Sequence, residues 1–478
     1  MKNIDLFNTA GKNIEFPKLL REIQEYMPNA YSNVMANDDT TKNSFEIKSR
    51  IRKYLKDFKY CVDGFTLDEL VNKLYNEMAE FSFLTPYLNF TIKDVEGIEI
   101  DSWDSVKIKY IGGIWKRSKE HFLSPQHAYD IMKRLLGKSG ITMDDAKPLA
   151  RGHLDEKIRI TVIGGGGILD KNVGVAASIR FVNPSDLTAA NIIKFGTLTP
   201  EMLDFLCTSY RYGISMMLAG ETDAGKTTLM SIIMSNAVPP EKKLITIEYG
   251  TREFNLTRRD EYDNIVNSVV HLVTKESTNP DSSITQQMEL EHAMTMNPDY
   301  LCMAEVKGSE AFETIEAALT GHPVIGTTHT GCCRDIPDRL VQLASYKGSN
   351  LKDDTLYKLT IKAFPILFYA QKCEDGVRRV TEICECRIEN GKSLFKTLWE
   401  YRTAENKIID GKTIVNGYFK KVGTISESLQ AKLRRKGIPE KKLQEFLNIG
   451  GGKSEAHRIN SIPNHGSRDT NSSKTLAI

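Results

Sequence analysis

The stretch "LAGETDAGKTTLMSII", residues 218–233, constrains this chain more than any other. Gly220 and Gly225 enclose Glu221, Thr222, Asp223 and Ala224, and Lys226, Thr227 and Thr228 follow. This is the G-x-x-x-x-G-K-[ST] spacing of a phosphate-binding loop. Its glycines let backbone amides turn toward a triphosphate, and the helix that follows presents its positive end to the same anion. Residues 220–228 are therefore the predicted nucleotide-binding set. Lys226 would reach the β- and γ-phosphates, and the Thr227 hydroxyl would hold Mg²⁺. An apolar strand precedes the loop and an amphipathic helix follows, so the local context fits. "GGGG" at 164–167 lacks the Lys and Ser/Thr and predicts a hairpin loop. "GGGKS" at 450–454 has Leu447 where the first glycine should stand.

Such a loop belongs to alternating strands and helices, and the flanking sequence supplies them. "GISMMLA", "KLITIE", "YLCMAE" and "VIGTTH" read as strands; "GKTTLMSIIM", "ITQQMELEHAMTM" and "SEAFETIEAAL" read as helices. That order predicts a mostly parallel sheet covered by helices. Residues 355–402 read as further short strands. Upstream the pattern differs. Residues 1–60 are helical and charged, with Ile47, Ile51, Tyr54, Leu55 and Phe58 at helix spacing. Thr66 and Glu69 form a capping-box pattern before Leu70, Leu74 and Met78. "GIEIDSWDSVKIKYIGGIW" predicts antiparallel strands. "SPQHAYDIMKRLLGKSG" predicts a helix from Ser124 to Gly137, and two more strands follow up to about Pro184. The predicted domains are a helical N-terminal extension (1–60), an α+β domain (61–186), an α/β P-loop domain (187–447) and a disordered, Gly/Ser/Asn-rich tail (448–478).

A formal net charge of +2 disfavours a globally basic nucleic-acid binder. No window of roughly 18 apolar residues predicts a membrane helix, and "MKNIDLFNTAGKNIEF" is not a signal peptide. The expectation is a cytoplasmic protein with only peripheral membrane contact. Eight scattered cysteines without a C-x-x-C predict reduced, buried thiols and no structural zinc.

The candidate catalytic residues lie where parallel strands end. Glu305 closes "PDYLCMAEV", where a carboxylate can polarise an attacking water or act on Mg²⁺ through a water. Glu248 ends "LITIE" and Glu253 follows. His329 ends "VIGTTH", beside Thr327 and Thr328, whereas His322 lies at the opposite end of that strand.

These segments, in this order, resemble the type II/IV secretion ATPase superfamily, and within it the CpaF (Tad/Flp pilus) branch. "GETDAGKTT" resembles the family's Walker A segment, "ITIEYGTREFNL" its Asp box, "PDYLCMAEVKGSEA" its Walker B segment and "TGHPVIGTTHT" its His box. "SIRF" at 178–181 resembles the segment that closes the family's N-terminal domain. The resemblance covers about residues 60–400. It implies a RecA-like core, ATP and Mg²⁺ as ligands, a homo-hexameric ring and an inner-membrane platform as partner, with no obligate nucleic acid. It also implies that arginines of the N-terminal domain face the phosphates; Arg180 matches that pattern well and Arg159 less closely. The chain departs from the family at Tyr249, where an acid is usual, at Ala304 and Lys307, where Gly and Arg are usual, and at Thr295 and Asn297, where arginines are common. The function implied is an ATP-hydrolysing motor for secretion or pilus-like assembly. A ring motor moving nucleic acid and a non-hydrolysing, nucleotide-gated scaffold are the alternatives.

Overall fold

A computed structural model describes residues 11–27, 40–111, 114–155, 157–165, 167–181, 187–250, 252–275, 282–346, 351–409 and 412–448. The tail after 448, the "GGGKS" stretch and the boundary near Pro184 lie outside these residues.

The first layer is helical. Helices Phe16–Tyr26, Thr40–Asp57 and Leu67–Ala79 bury Leu19, Ile23, Ile51, Leu55, Leu70 and Leu74 in one cluster. Thr66 and Glu69 form both hydrogen bonds of the capping box, satisfying amides at the third helix's start. Phe58, expected to continue the helix spacing, falls just past the helix. The helix ends at Asp57, and Phe58 is exposed, its ring 6.0 Å from that of Tyr60. Short strands β1 (Lys12–Asn13) and β2 (Tyr60–Cys61) pair beside these helices.

The second layer is an antiparallel sheet of β3 (Val95–Ser102), β4 (Ser105–Tyr110), β5 (Ile114–Arg117), β6 (Leu149–Asp155), β7 (Ile158–Gly164) and β8 (Val175–Phe181), in the order β5-β4-β3-β8-β7-β6. Helix Pro125–Lys138 covers one face, its first turn capped by Ser124. It runs one residue past Gly137, so that glycine does not end it. Strand alternation sorts the side chains. Ile98, Ile108, Ile160 and Ile179 are buried in the core, while Lys109, Arg151, Arg159 and Arg180 fall on the alternate, polar positions.

The third layer is the expected α/β unit. Its strands are β9 (Met216–Gly220), β10 (Leu244–Glu248), β11 (Val269–Val273), β12 (Tyr300–Met303), β13 (Val324–Thr328), β14 (Ile366–Lys372), β15 (Arg378–Glu389), β16 (Lys392–Ile409) and β17 (Lys412–Lys421). They form one nine-stranded sheet, β11-β10-β12-β13-β9-β14-β15-β16-β17, parallel from β11 to β14 and antiparallel beyond. Residues 355–402 differ from the short strands expected. They begin in a helix, Asp353–Ala363, and continue into strands of 7, 12 and 18 residues. Bulges at Tyr369/Ala370, Ile383/Cys384 and Thr403/Glu405 shift the pairing, which breaks the alternation that marks a long strand. Strands β9, β10, β12 and β13 are buried throughout, which accounts for their unbroken apolar runs.

Helix Gln286–Thr295 carries an acid into the core. Glu289 is buried, and its Oε2 has no hydrogen-bond partner among the described residues. Burial pushes its carboxyl up from 4.5 to about 7. The native chain therefore keeps this proton over a range where the unfolded chain has lost it, and stability falls as pH rises from about 4.5 through about 7. Glu289→Gln removes the titration. Its melting temperature should match wild type near pH 5 and exceed it by a few degrees near pH 8. An offset independent of pH would exclude Glu289 as the cause.

Candidate nucleotide site

The phosphate loop hangs between two rigid elements. β9 is fully buried, and helix Lys226–Ala237 packs Leu229, Met230, Ile233 and Met234 into the core. Gly220 is required by space, because a Cβ there would lie 2.1 Å from the Ala370 carbonyl oxygen on β14. Gly225, the residue before the helix, has φ +80°, a left-handed conformation that glycine adopts without strain. The Lys226 ammonium donates to the carbonyls of Gly220 and Glu221, both at 2.9 Å, and lies 3.5 Å from His329 Nδ1. Burial lowers its pKa, opposed by Glu305, Glu253 and Glu221. Thr227 and Thr228 are half-buried in the first helical turn.

The carboxyl ends of the neighbouring strands meet this loop. Glu305, two residues beyond β12, lies 3.2 Å from His329 Nε2 and 3.8 Å from Lys307 Nζ. His329 thus stands between Lys226 and Glu305, an arrangement served by a neutral ring with hydrogen on Nε2. The His329 hydrogen bond, against burial and with help from Lys307, lowers the Glu305 pKa and keeps the carboxylate ionised near neutral pH. Its backbone is braced from three sides. Thr327 donates to the Ala304 carbonyl at 2.6 Å, Thr328 to that of Val306 at 3.1 Å, and Gln286 to that of Glu305 at 3.0 Å. Gln286 escaped the sequence reading, since nothing in "ITQQMEL" marks one glutamine as buried.

Glu248 and Glu253 part company. Glu248 is 1% exposed and accepts the backbone N–H groups of Glu253 and Phe254. Burial pushes its carboxyl up to about 7. It lies under the turn and shapes it. Glu253 stands on the turn, 3.7 Å from Arg159 of the small sheet. His322 precedes β13 and so sits at the opposite end of the sheet. Thr295 and Asn297 also lie there, exposed, ahead of β12.

The polar face of the small sheet completes the site. Arg159 and Arg180 are paired across β7 and β8, a like-charge pair that raises the energy of this face. Burial lowers the Arg159 pKa, and Arg151 and Arg180 lower it further, against Glu253 and Glu305. Arg151 and Lys307 flank the Tyr249 ring at 5.6 Å and 3.2 Å. Tyr249 therefore offers a π face to two cations. His153 Nε2 lies 2.6 Å from the Gly250 carbonyl oxygen, joining the sheet to the same turn.

Lys226, Glu253, Glu305 and His329 thus gather beside Arg159, and Arg180 lies one strand away from it. A helix N-terminus, a loop lysine and clustered arginines fit a triphosphate, and Thr227 with Glu305 offers oxygen ligands suited to Mg²⁺. Elsewhere, Cys333, Glu382 and Cys384 bring potential ligand atoms within 4.8 Å of one another. Cys384 Sγ donates to the Glu382 carboxylate at 3.0 Å there, and Cys333 Sγ lies 3.8 Å from the Glu382 carbonyl oxygen. All eight cysteines are free thiols.

Residues 168–432 match the family described as type II/IV secretion system protein. The chain is 25% identical over 336 residues to a Mycobacterium tuberculosis protein named for a provisional role in conjugal transfer, covering 68% of this chain and 90% of that one. It is 33% identical over 120 residues to the type IV secretion system protein PtlH of Bordetella pertussis, covering 25% of this chain and 33% of that one. Among solved structures, the ATPase DotB of Legionella pneumophila aligns at 14% identity with a TM-score of 0.45, over 73% of this chain and 82% of that chain. No helix among the described residues is long and apolar enough to cross a membrane.

Hydrogen bonds to a charged group contribute about 1.5–3 kcal/mol each. Lys226→Ala, which removes the loop's ammonium, should weaken binding of an ATP analogue by about 100-fold or more. Calorimetry showing unchanged affinity would remove nucleotide binding from this loop.

Proposed function

The chain belongs to the type II/IV secretion system protein family, and from that premise we propose that it is an ATP-hydrolysing motor for secretion or pilus-like assembly, of the CpaF-like branch. One observation carries this reading: Lys226, His329 and Glu305 form a connected line at the carboxyl edge of the sheet, facing clustered arginines. Lys226 and the loop amides hold the phosphates. Glu305 orients the attacking water and accepts its proton; the lowered pKa keeps the carboxylate ionised at neutral pH, at the cost of basicity. His329 orients Glu305 and stands next to the lysine. Arg180, with Arg159 beside it, stabilises charge that develops on the transferring group. Mg²⁺, held by Thr227 with Glu305 acting through a water, would neutralise phosphate oxygens. Glu248 acts by shaping the turn that carries Glu253.

The motor is proposed to work as a homo-hexameric ring on the cytoplasmic side of an inner-membrane platform, without obligate nucleic acid. The names of the relatives, one tied to conjugal transfer and one to type IV secretion, support a secretion-machine setting in general. Division of the chain near residues 60, 186 and 447 belongs to the same proposal; separate hydrophobic clusters about the two sheets support the division near 186, whereas one cluster spans residue 60 and joins helix Leu67–Ala79 to the helices before it.

Glu305→Gln should bind ATP and hydrolyse it at least about 100-fold more slowly, since general-base contributions are commonly of that order. Mixed with wild type after confirmed subunit exchange, it should depress activity more steeply than its fraction in the mixture. A strictly linear fall would mean independent sites and no coupled ring. Arg180→Ala should lower turnover at saturating ATP more than it lowers affinity. The opposite pattern would make Arg180 a ground-state binding residue. Stimulation of wild-type hydrolysis by DNA, with no need for membrane components, would favour a nucleic-acid motor instead.

A further inference from the structure

Asp223 is an odd residue for a phosphate loop. A carboxylate there would repel the ligand if it faced the cradle. Its backbone has φ +67°, a left-handed conformation that Asp and Asn tolerate better than most side chains. The side chain is held by cations away from the loop. Oδ2 accepts from Lys109 Nζ at 2.7 Å and lies 3.4 Å from Lys372 Nζ; Oδ1 accepts from Arg378 Nη2 at 2.8 Å. Arg378 also donates its Nε–H to the Asp223 carbonyl at 2.8 Å, and its Cδ lies 2.9 Å from where a Gly225 Cβ would stand. Glu96 closes the group, 3.3 Å from Lys109 and 3.4 Å from Arg378.

These side chains come from separate parts of the fold. Glu96 and Lys109 stand on β3 and β4 of the small sheet, Lys372 and Arg378 on β14 and β15 of the large one. Asp223 lies between them. All five are a third exposed or less, so solvent screens them less than it screens surface pairs. Burial would raise the Asp223 carboxyl, but Lys109 and Arg378 override it and hold the group well below the usual carboxylate range.

We propose that Glu96, Lys109, Asp223, Lys372 and Arg378 form an intrachain latch that ties the phosphate loop to the small sheet, and that Asp223 is a positioning residue for the nucleotide. The second half rests on the nucleotide-binding reading above; the latch itself does not. Through Asp223 the loop is shaped before any ligand arrives, which lowers the ordering cost of binding. The same contacts hold the arginine-bearing sheet of one chain beside that chain's own loop.

Asp223→Asn tests this with little backbone penalty, because Asn also tolerates the left-handed conformation. In the full chain, calorimetry with a slowly hydrolysed ATP analogue should show affinity about tenfold weaker. Lys109→Met should also weaken it, and the double variant should lose less than the product of the two. Without nucleotide, hydrogen exchange at the amides of residues 221–225 should be faster in Asp223→Asn than in wild type. Wild-type affinity, or effects that multiply independently, would overturn the positioning role. Unchanged exchange would overturn the latch. A wild-type chain that binds no nucleotide would instead defeat the nucleotide reading and with it the positioning role, leaving exchange to decide on the latch alone.

Discussion

Parallel pairing of β10, β12, β13 and β9 is the constraint on which the site depends. Parallel strands place all their carboxyl ends at one edge, so the segments after residues 220, 248, 303 and 328 leave the sheet side by side. Ligand crevices of open α/β sheets form beyond that edge. The strands must be close for this to work. A Cβ on Gly326 would lie 3.0 Å from Met217 Sδ and 3.2 Å from the Met303 carbonyl oxygen. Close packing of buried strands thus brings a lysine, a histidine and a glutamate from three distant segments into one line.

Electrostatics explain why the small sheet belongs to the site. Its inner face is apolar and needs the helix Pro125–Lys138; its other face is left with alternate polar positions, and at one end these are arginines. Arg159 opposite Arg180 is an unfavourable pair in isolation. Glu253 relieves part of the repulsion, and an anion would relieve more. A perturbed Arg159 beside a loop of phosphate-binding spacing is a better sign of function than either feature alone. Tyr249 fits the same scheme. Its ring holds Lys307 and Arg151 without adding a negative charge near the loop.

What could be read from the sequence was local. The spacing of Gly220, Gly225, Lys226 and Thr227 specifies a strand, a tight loop and a helix start within ten residues, and no distant part of the chain can change that meaning. Unbroken apolar runs at β9, β10, β12 and β13 announce strands buried on both faces. Glu305 and His329 were legible because they follow such runs immediately. Glu248 follows one too, yet its carboxylate lies beneath the backbone of Glu253 and Phe254. The direction of a single side chain at a strand end depends on the path of the loop after it. Strands β15 and β16 were legible as strands, but the full length of β16 was not, because a bulge interrupts its alternation.

Long-range partners had no local signature. Nothing near Asp223 foretells that Lys109, 114 positions earlier, and Arg378, 155 positions later, converge on it. The same holds for Gln286 beneath Glu305 and for Arg151 over Tyr249. The sequence by itself determined the phosphate loop, the α/β class and the polar alternation of the small sheet, because each is a matter of spacing along the chain. The tertiary structure alone decided which carboxylate lies under the turn and which stands on it, and which cations close on Asp223. Those outcomes depend on how two sheets dock, and docking brings together residues whose separation along the chain carries no information about their distance in space.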